Sequence, residues 1–280
     1  MLRTLFFGTS AFAVPSLRVF ASRTDCLGVV TQPDRPSGRG QRLHPTPVKA
    51  AALDLGLTVY EPKDLRAFRD EMASAAFDLF GLASYGRILP QRLLDLPRLG
   101  ALNVHPSLLP RYRGATPIQT ALRNGDGVTG VSIMLMDAGM DTGEIVLQER
   151  VPIGNDDDYG SLHDRLAGVG AKMLGKAIAE AEAGTLARTP QAGEASVTRP
   201  IGKDDLLVDW DADARAIVNQ IRAYAPRPAA RGQLQGEIVK LLRAHVGAND
   251  EVIVDELIAP NRGKMTGEAF ARSAAARSAE

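Results

Sequence analysis

Gly100-Ala-Leu-Asn103-Val-His105-Pro106-Ser107-Leu108-Leu109-Pro110-Arg111-Tyr112-Arg113-Gly114 sets an amide and an imidazole two residues apart in a short apolar run. Side chains two apart on a β-strand project to one face. Pro106 ends the run, so Asn103 and His105 are expected at the carboxyl end of a buried strand, where open parallel sheets hold their ligands. An amide donor beside a side-chain type that titrates near neutrality suits a reaction that builds and then discharges an oxyanion. The alternative is a core strand whose polar side chains serve only neighbouring backbone groups.

Working outward, short apolar runs alternate with helical periods. Leu2 to Phe7 reads as a strand, with Gly8-Thr9-Ser10 turning into a helix that ends near Ser22 and has Ser10 as its N-cap. Cys26 to Thr31 and Phe77 to Ala83 read as further strands, as do Gly130 to Asp137 and Gly143 to Pro152. Gln32 to Pro47 holds four prolines and two glycines and is expected to be irregular. Ser161 to Glu182 carries apolar residues at helical spacing. This alternation implies an α/β, Rossmann-like domain with a largely parallel sheet, closing near Gly184. Residues 185–205 are polar and broken by Pro190, Gly193, Pro200 and Gly202, as in a linker. Gly232 to Gly236, Ile238 to Val246 and Val252 to Ile258 then read as hairpins of a small β domain, giving units of 1–184 and 206–280.

Composition excludes several classes. Cys26 is the single cysteine, so there is no internal disulfide and no multi-cysteine metal site, in keeping with a reducing compartment. His44, His105, His163 and His245 are scattered without metal spacing, and no metal is expected. His44 and His163 read as surface residues, and His245 has no partner that the sequence names. The turn after the first strand lacks Gly-x-Gly-x-x-Gly, and no Walker loop is present. With neither a secretory leader nor an apolar run of membrane-spanning length, a cytoplasmic protein is expected. Lysine and arginine total 33 against 33 acids, so no global field draws the chain to a polyanion. Locally, Arg35, Arg39, Arg42 and Lys49 face only Asp34, and six bases from Arg215 to Arg243 face only Glu237. Such patches on a neutral chain suggest local contact with a polyanion.

A second constellation is Met136-Asp137-Ala-Gly-Met-Asp141-Thr-Gly143. Its strand delivers two carboxylates to a glycine-flanked loop, at the same end of the sheet as Asn103 and His105 if the strands are parallel. A carboxylate beside an imidazole fixes its tautomer and favours its charged form. The plainer reading is turn chemistry, for which Asp in a Gly-rich loop is common.

These motifs together resemble the 10-formyltetrahydrofolate transformylase superfamily: Asn103-Val-His105, Ser107-Leu-Leu-Pro-Arg-x-Arg-Gly114, then Met-Asp-x-Gly-x-Asp141-Thr-Gly. The loop Thr31-Gln-Pro-Asp-Arg-Pro-Ser-Gly-Arg-Gly40, with Pro45-Thr-Pro-Val-Lys49, resembles the branch that formylates methionylated tRNA. Transformylases of purine and sugar substrates lack this insertion. The likeness runs from Leu5 to about Lys240 and includes Asp209-Trp210.

The resemblance implies a catalytic set of Asn103, His105 and Asp141, with Asp137 supporting, and folate contacts at Ser107, Leu108, Leu109 and Pro110. It implies formyl transfer from 10-formyltetrahydrofolate, a co-substrate, to the amino group of methionylated initiator tRNA, without metal and without a membrane. Arg39 would enter the acceptor stem, with Arg35, Arg42 and Lys49 beside it, and the C-terminal part would be an OB-like barrel contacting tRNA. A monomer is expected. Tyr112 stands where many members have Trp, and Pro106 where a small residue is commoner. After His245 the barrel is expected to be shortened, with Gly247 to Glu251 in place of further strand. A formyltransferase acting on an amino sugar nucleotide, a formyl-folate hydrolase and a non-catalytic binding module are the competing readings.

Overall fold

The computed structural model describes residues 1–37 and 42–277. The chain runs through β1 (Arg3–Gly8), α1 (Ala13–Arg23), β2 (Asp25–Val30), β3 (Arg35–Ser37), β4 (Arg42–His44), α2 (Pro47–Asp54) and β5 (Val59–Tyr60). There follow α3 (Leu65–Met72), β6 (Leu79–Ala83), α4 (Gln91–Leu94), β7 (Ala101–His105), β8 (Arg113–Gly114), α5 (Pro117–Arg123) and β9 (Val128–Leu135). After β10 (Ile145–Pro152), α6 (Tyr159–Ala183) and β11 (Val197–Thr198) come α7 (Ala214–Tyr224), β12 (Ala230–Leu234), β13 (Glu237–Val246), β14 (Val252–Ala259), β15 (Gly263–Thr266) and α8 (Gly267–Arg277). Two compact units form: Met1–Ala115 with Gly130–Val151 and Asp164–Val197, and Thr116–Thr129 with Pro152–His163 and Thr198–Glu280. No helix among the described residues is long and apolar enough to cross a membrane.

The first unit is built on a seven-stranded sheet in the order β10-β9-β7-β6-β1-β2-β5. From β7 to β5 neighbouring strands are parallel, as the alternation of elements predicts. β1 and β6 show unbroken apolar runs because both of their faces are covered. Phe6 packs on Phe20 of α1 at a centroid distance of 5.4 Å, while Phe7, on the opposite face, packs on Phe80 at 5.3 Å. The strand that carries the candidate site, β7, is covered by α6 at Gly170, where a Cβ would lie 2.5 Å from Val104 Cγ1. Only glycine lets the helix backbone approach that strand so closely.

In the second unit a four-stranded antiparallel sheet, β12-β13-β14-β15, is packed by α7. Asp213 caps α7 by accepting from the Ala216 amide, and the helix buries Ile217, Val218, Ile221 and Tyr224. Gly232 lies against the Trp210 indole, where a side chain would collide with the ring. Asp205 gathers Arg199, Arg123 and the Gly202 amide around one carboxylate, at 2.6 Å, 3.3 Å and 2.7 Å. The hydrogen bonds from Arg199, then that from Gly202, hold its pKa down to about 2.

Three local expectations are corrected. The proline-rich stretch 32–47 holds a short antiparallel ribbon, β3 with β4: Pro33, Pro45 and Pro47 lie outside it, and Pro36 sits mid-strand in β3, which has a partner on one side only. Ser10 does not cap α1; the N-cap position is Phe12, and the Ser10 hydroxyl donates to Ser84 Oγ. β15 and α8 extend the β domain beyond the strands that alternation reveals, since Gly263–Thr266 is too short for a period to show.

Gly170→Val should cost about 1–3 kcal/mol through overpacking against β7, read as a lowered melting temperature. Asp205→Asn should cost on the order of 1 kcal/mol at neutral pH. Because the folded-state pKa of Asp205 lies below its unfolded value, that contribution is present above about pH 4 and disappears as pH falls toward 2. Melting curves of wild type and variant should therefore converge at acid pH.

Candidate active site

β7 delivers Asn103 and His105 to its carboxyl end, as their spacing predicts. His105 is 4% exposed, and its Nε2 lies 2.9 Å from the Tyr112 carbonyl. A carbonyl only accepts, so Nε2 carries a proton in either charge state of the ring. Proton exchange is left to Nδ1, which lies 3.6 Å from Asp141 Oδ2. That separation is longer than an ordinary hydrogen bond, and separations of this kind often tighten when substrate binds. The Asn103 carboxamide is partly exposed and has no hydrogen-bond partner among the described residues.

The route by which Asp141 reaches His105 differs from the expected one. β9 is antiparallel to β7, with Leu135 opposite Leu102 and Ser132 opposite His105. The carboxyl end of β9 therefore lies beside the amino-terminal half of β7, and the loop 136–143 folds back to bring Asp141 to the histidine. Asp137 organises that loop, accepting from the Gly139 amide and the Thr142 hydroxyl, and does not face the imidazole. Asp141 adopts φ +54° and its Oδ2 accepts from the Gly114 amide at 2.8 Å. Gly114 itself has φ +100°, a conformation that side-chain-bearing residues rarely adopt.

The turn Ser107-Leu-Leu-Pro110 is tied to β9 rather than open. Ser107 is fully buried and its hydroxyl donates to the Arg111 carbonyl at 2.6 Å, so that hydroxyl is occupied within the turn. Ser132 donates to the Ser107 carbonyl and accepts from the Leu109 amide, and Gln148 donates to both Ser132 Oγ and the Leu109 carbonyl. Leu109 and Pro110 are buried, and Leu108 packs over Gly130.

Residues 185–197, expected as linker, belong to the first unit. Gln191 Nε2 donates to the carbonyls of Asp141 and Gly143, and Ser196 Oγ accepts from the Tyr112 amide. The sequence carries no signal for these two, which are single polar residues in a polar stretch. Ser132 had a readable one: a hydroxyl in the otherwise apolar run Val131 to Leu135.

Of the basic cluster, Arg39 lies outside the described residues. Arg35 and Arg42 stand on the paired backbones of β3 and β4. Lys49 has two partners, Asp34 and Glu61, each at 2.8 Å. The bond to Asp34 and then that to Glu61 push its pKa up, and its charge is spent on carboxylates rather than left open to a phosphate. His245, unpaired in the sequence reading, has Asp255 at 3.0 Å. No cluster of three potential metal ligands occurs among the described residues.

Residues 4–178 match the family model described as formyl transferase, and residues 200–252 match that of the formyl transferase C-terminal domain. The methionyl-tRNA formyltransferase of Geobacter sulfurreducens is 44% identical over 249 residues, covering 88% of this chain and 78% of the relative. That of Pseudomonas paraeruginosa is 45% identical over 250 residues, covering 88% and 81%. Among solved structures, the N-formyltransferase from Helicobacter canadensis in complex with folinic acid and dTDP-3-aminofucose superposes with a TM-score of 0.68 at 20% identity, covering 88% of each chain. HypX from Aquifex aeolicus in complex with tetrahydrofolic acid gives 0.66 at 17% identity, covering 98% of this chain and 47% of that one. At such identities these two likenesses establish the fold alone.

Ser132→Ala should leave the Leu109 amide without its buried acceptor and lower stability by about 1–3 kcal/mol. Chemical denaturation with an unchanged m-value would check this.

Proposed function

The chain belongs to the formyl transferase family, and we propose that it moves the formyl group of 10-formyltetrahydrofolate to the free amino group of methionyl-initiator tRNA, giving formylmethionyl-tRNA for translation initiation. The observation that carries this reading is the union of an unpartnered Asn103 carboxamide with the His105–Asp141 pair at one strand end, in a chain about 44% identical to enzymes of that name. No metal takes part in this reading.

The folate donor supplies an acyl carbon already activated on nitrogen. Asn103 fits that donor because its carboxamide is free to bind a carbonyl oxygen as charge develops there. The acceptor α-amine, neutral when it attacks, adds to the formyl carbon. Asn103, and His105 when protonated at Nδ1 as well as Nε2, stabilise the resulting oxyanion. Asp141 holds the imidazole and helps pass a proton to the departing folate nitrogen. Leu108 and the backbone of the Ser107–Pro110 turn form a wall for the folate, with the buried Ser107, Leu109 and Pro110 shaping it. Ile88, 83% exposed in the loop after β6, offers further apolar surface for a flat ring.

For the tRNA, Arg35 of β3, Arg42 of β4 and Arg39 between them in the sequence meet the acceptor stem, and Lys49 anchors the base of that ribbon through Asp34 and Glu61. The first unit, which includes residues 185–197, forms the catalytic part, and the second unit, which includes 206–280, the tRNA-contacting part. The four-stranded sheet reads as a shortened OB-like barrel whose exposed bases, Arg231 and Lys240 among them, suit a nucleic-acid backbone. The protein acts in the cytoplasm as a single chain.

Incubation with 10-formyltetrahydrofolate and methionylated initiator tRNA tests the reading. Formylmethionyl-tRNA from wild type, with none above background from His105→Ala, is the expected result; formate release without tRNA formylation would overturn it in favour of a hydrolase. Asn103→Ala should lower kcat by about 10²–10³. Arg39→Ala should raise KM for the tRNA while leaving KM for the folate unchanged.

A further inference from the structure

A histidine–carboxylate pair is only as useful as the backbone that aims it, and in this protein both members are aimed from one segment. Gln191 Nε2 donates to the Asp141 and Gly143 carbonyls, each at 2.8 Å. Its Oε1 accepts from Arg113 Nε and Nη2 at 3.1 Å and 2.7 Å. With both N–H groups and both lone pairs engaged, the amide has one possible orientation. Flipped, it would point its NH2 at a guanidinium and its oxygen at two carbonyls.

The residue so gripped is strained. Asp141 sits at φ +54°, a left-handed conformation that a non-glycine residue keeps only where its surroundings over-determine it. Five residues on, Ser196 repeats the arrangement. Its hydroxyl accepts from the amide of Tyr112, which has φ +59° and whose carbonyl holds His105 Nε2. Backbone bonds from Arg113 to Ser196 and from Ser196 to Pro110 lock the two segments together.

We propose that Gln191, set by Arg113, is a positioning residue for formyl transfer: it fixes the left-handed backbone of Asp141 and so the aim of its carboxylate at His105, while Ser196 secures the opposite ring nitrogen through Tyr112. This rests on reading His105 and Asp141 as the pair that moves the proton. Gln191 touches no reacting atom. Its loss frees a rotation at Asp141, so the penalty falls on turnover and not on substrate binding.

The test uses the full chain, with initial rates measured against both substrates. Gln191→Leu should lower kcat about tenfold or more, with both KM values within about threefold of wild type. Gln191→Glu keeps the side-chain length and the Arg113 pairing but turns an oxygen toward two carbonyls; it should lose at least as much and covers the case in which the leucine variant fails to fold. On an Asp141→Asn background, Gln191→Leu should cost no more than about a further twofold, because its effect runs through that carboxylate. A kcat within twofold of wild type in Gln191→Leu, a loss confined to KM, or a full multiplicative loss on Asp141→Asn would overturn the proposal. Deuterium exchange of residues 139–144 separates this from the functional reading. If wild type transfers no formyl group to tRNA that reading fails, yet faster exchange in Gln191→Leu still supports the clamp, and unchanged exchange sinks it.

Discussion

A histidine buried to 4% exposure needs a partner for its ring N–H, and the hydrogen bond that His105 makes through Nε2 shapes the loops around the site. Nε2 donates to the Tyr112 carbonyl, so the chain after β7 has to double back within seven residues. That return requires the left-handed Tyr112 and Gly114. The Gly114 amide, exposed by the same turn, becomes the donor that holds the Asp141 carboxylate opposite Nδ1. One buried imidazole thus dictates the course of two loops.

Besides the burial of Leu109, Pro110 and Tyr112, polar bonds to neighbouring elements keep those loops in place. Ser132 and Gln148 tie the Ser107–Pro110 turn to β9 and β10, while Ser196 and Gln191 tie the later part of that loop and the loop bearing Asp141 to one segment. Buried polar networks of this kind stabilise geometry more than they stabilise the fold, since a half-satisfied network costs more than an apolar replacement. The apolar core lies behind them, where Phe6, Phe7, Phe20 and Phe80 cover both faces of the parallel strands. Rigid strands carry the imidazole and the amide; loops, locked from outside, carry the carboxylate.

Charge is handled differently at the ribbon. Lys49 spends its ammonium on Asp34 and Glu61, which fastens the start of β3 to α2 and to the residue after β5. The basic character of the segment then belongs to its arginines. Guanidinium groups match phosphate geometry in a way that an ammonium between two carboxylates does not. Among the bases counted in the sequence, Lys49 is therefore already committed to carboxylates.

Local rules made much of this protein legible. Continuous apolar runs mark strands covered on both faces, a proline ends β7, and a two-residue spacing sets Asn103 and His105 on one face; each depends only on neighbours along the chain. The resemblance of the motifs then pointed to Asp141. What the chain alone could not supply was any relation that depends on strand direction or on distant partners. Parallel strands were expected to bring Asp141 to His105, whereas β9 is antiparallel and a returning loop does so. Gln191, fifty residues beyond Asp141, looked like linker because a single amide in a polar stretch has no period to betray it. Backbone burial and chain reversal are written in the sequence; which carbonyl a buried donor finds is decided only when the sheet has closed and the remaining acceptors have been brought within 3 Å.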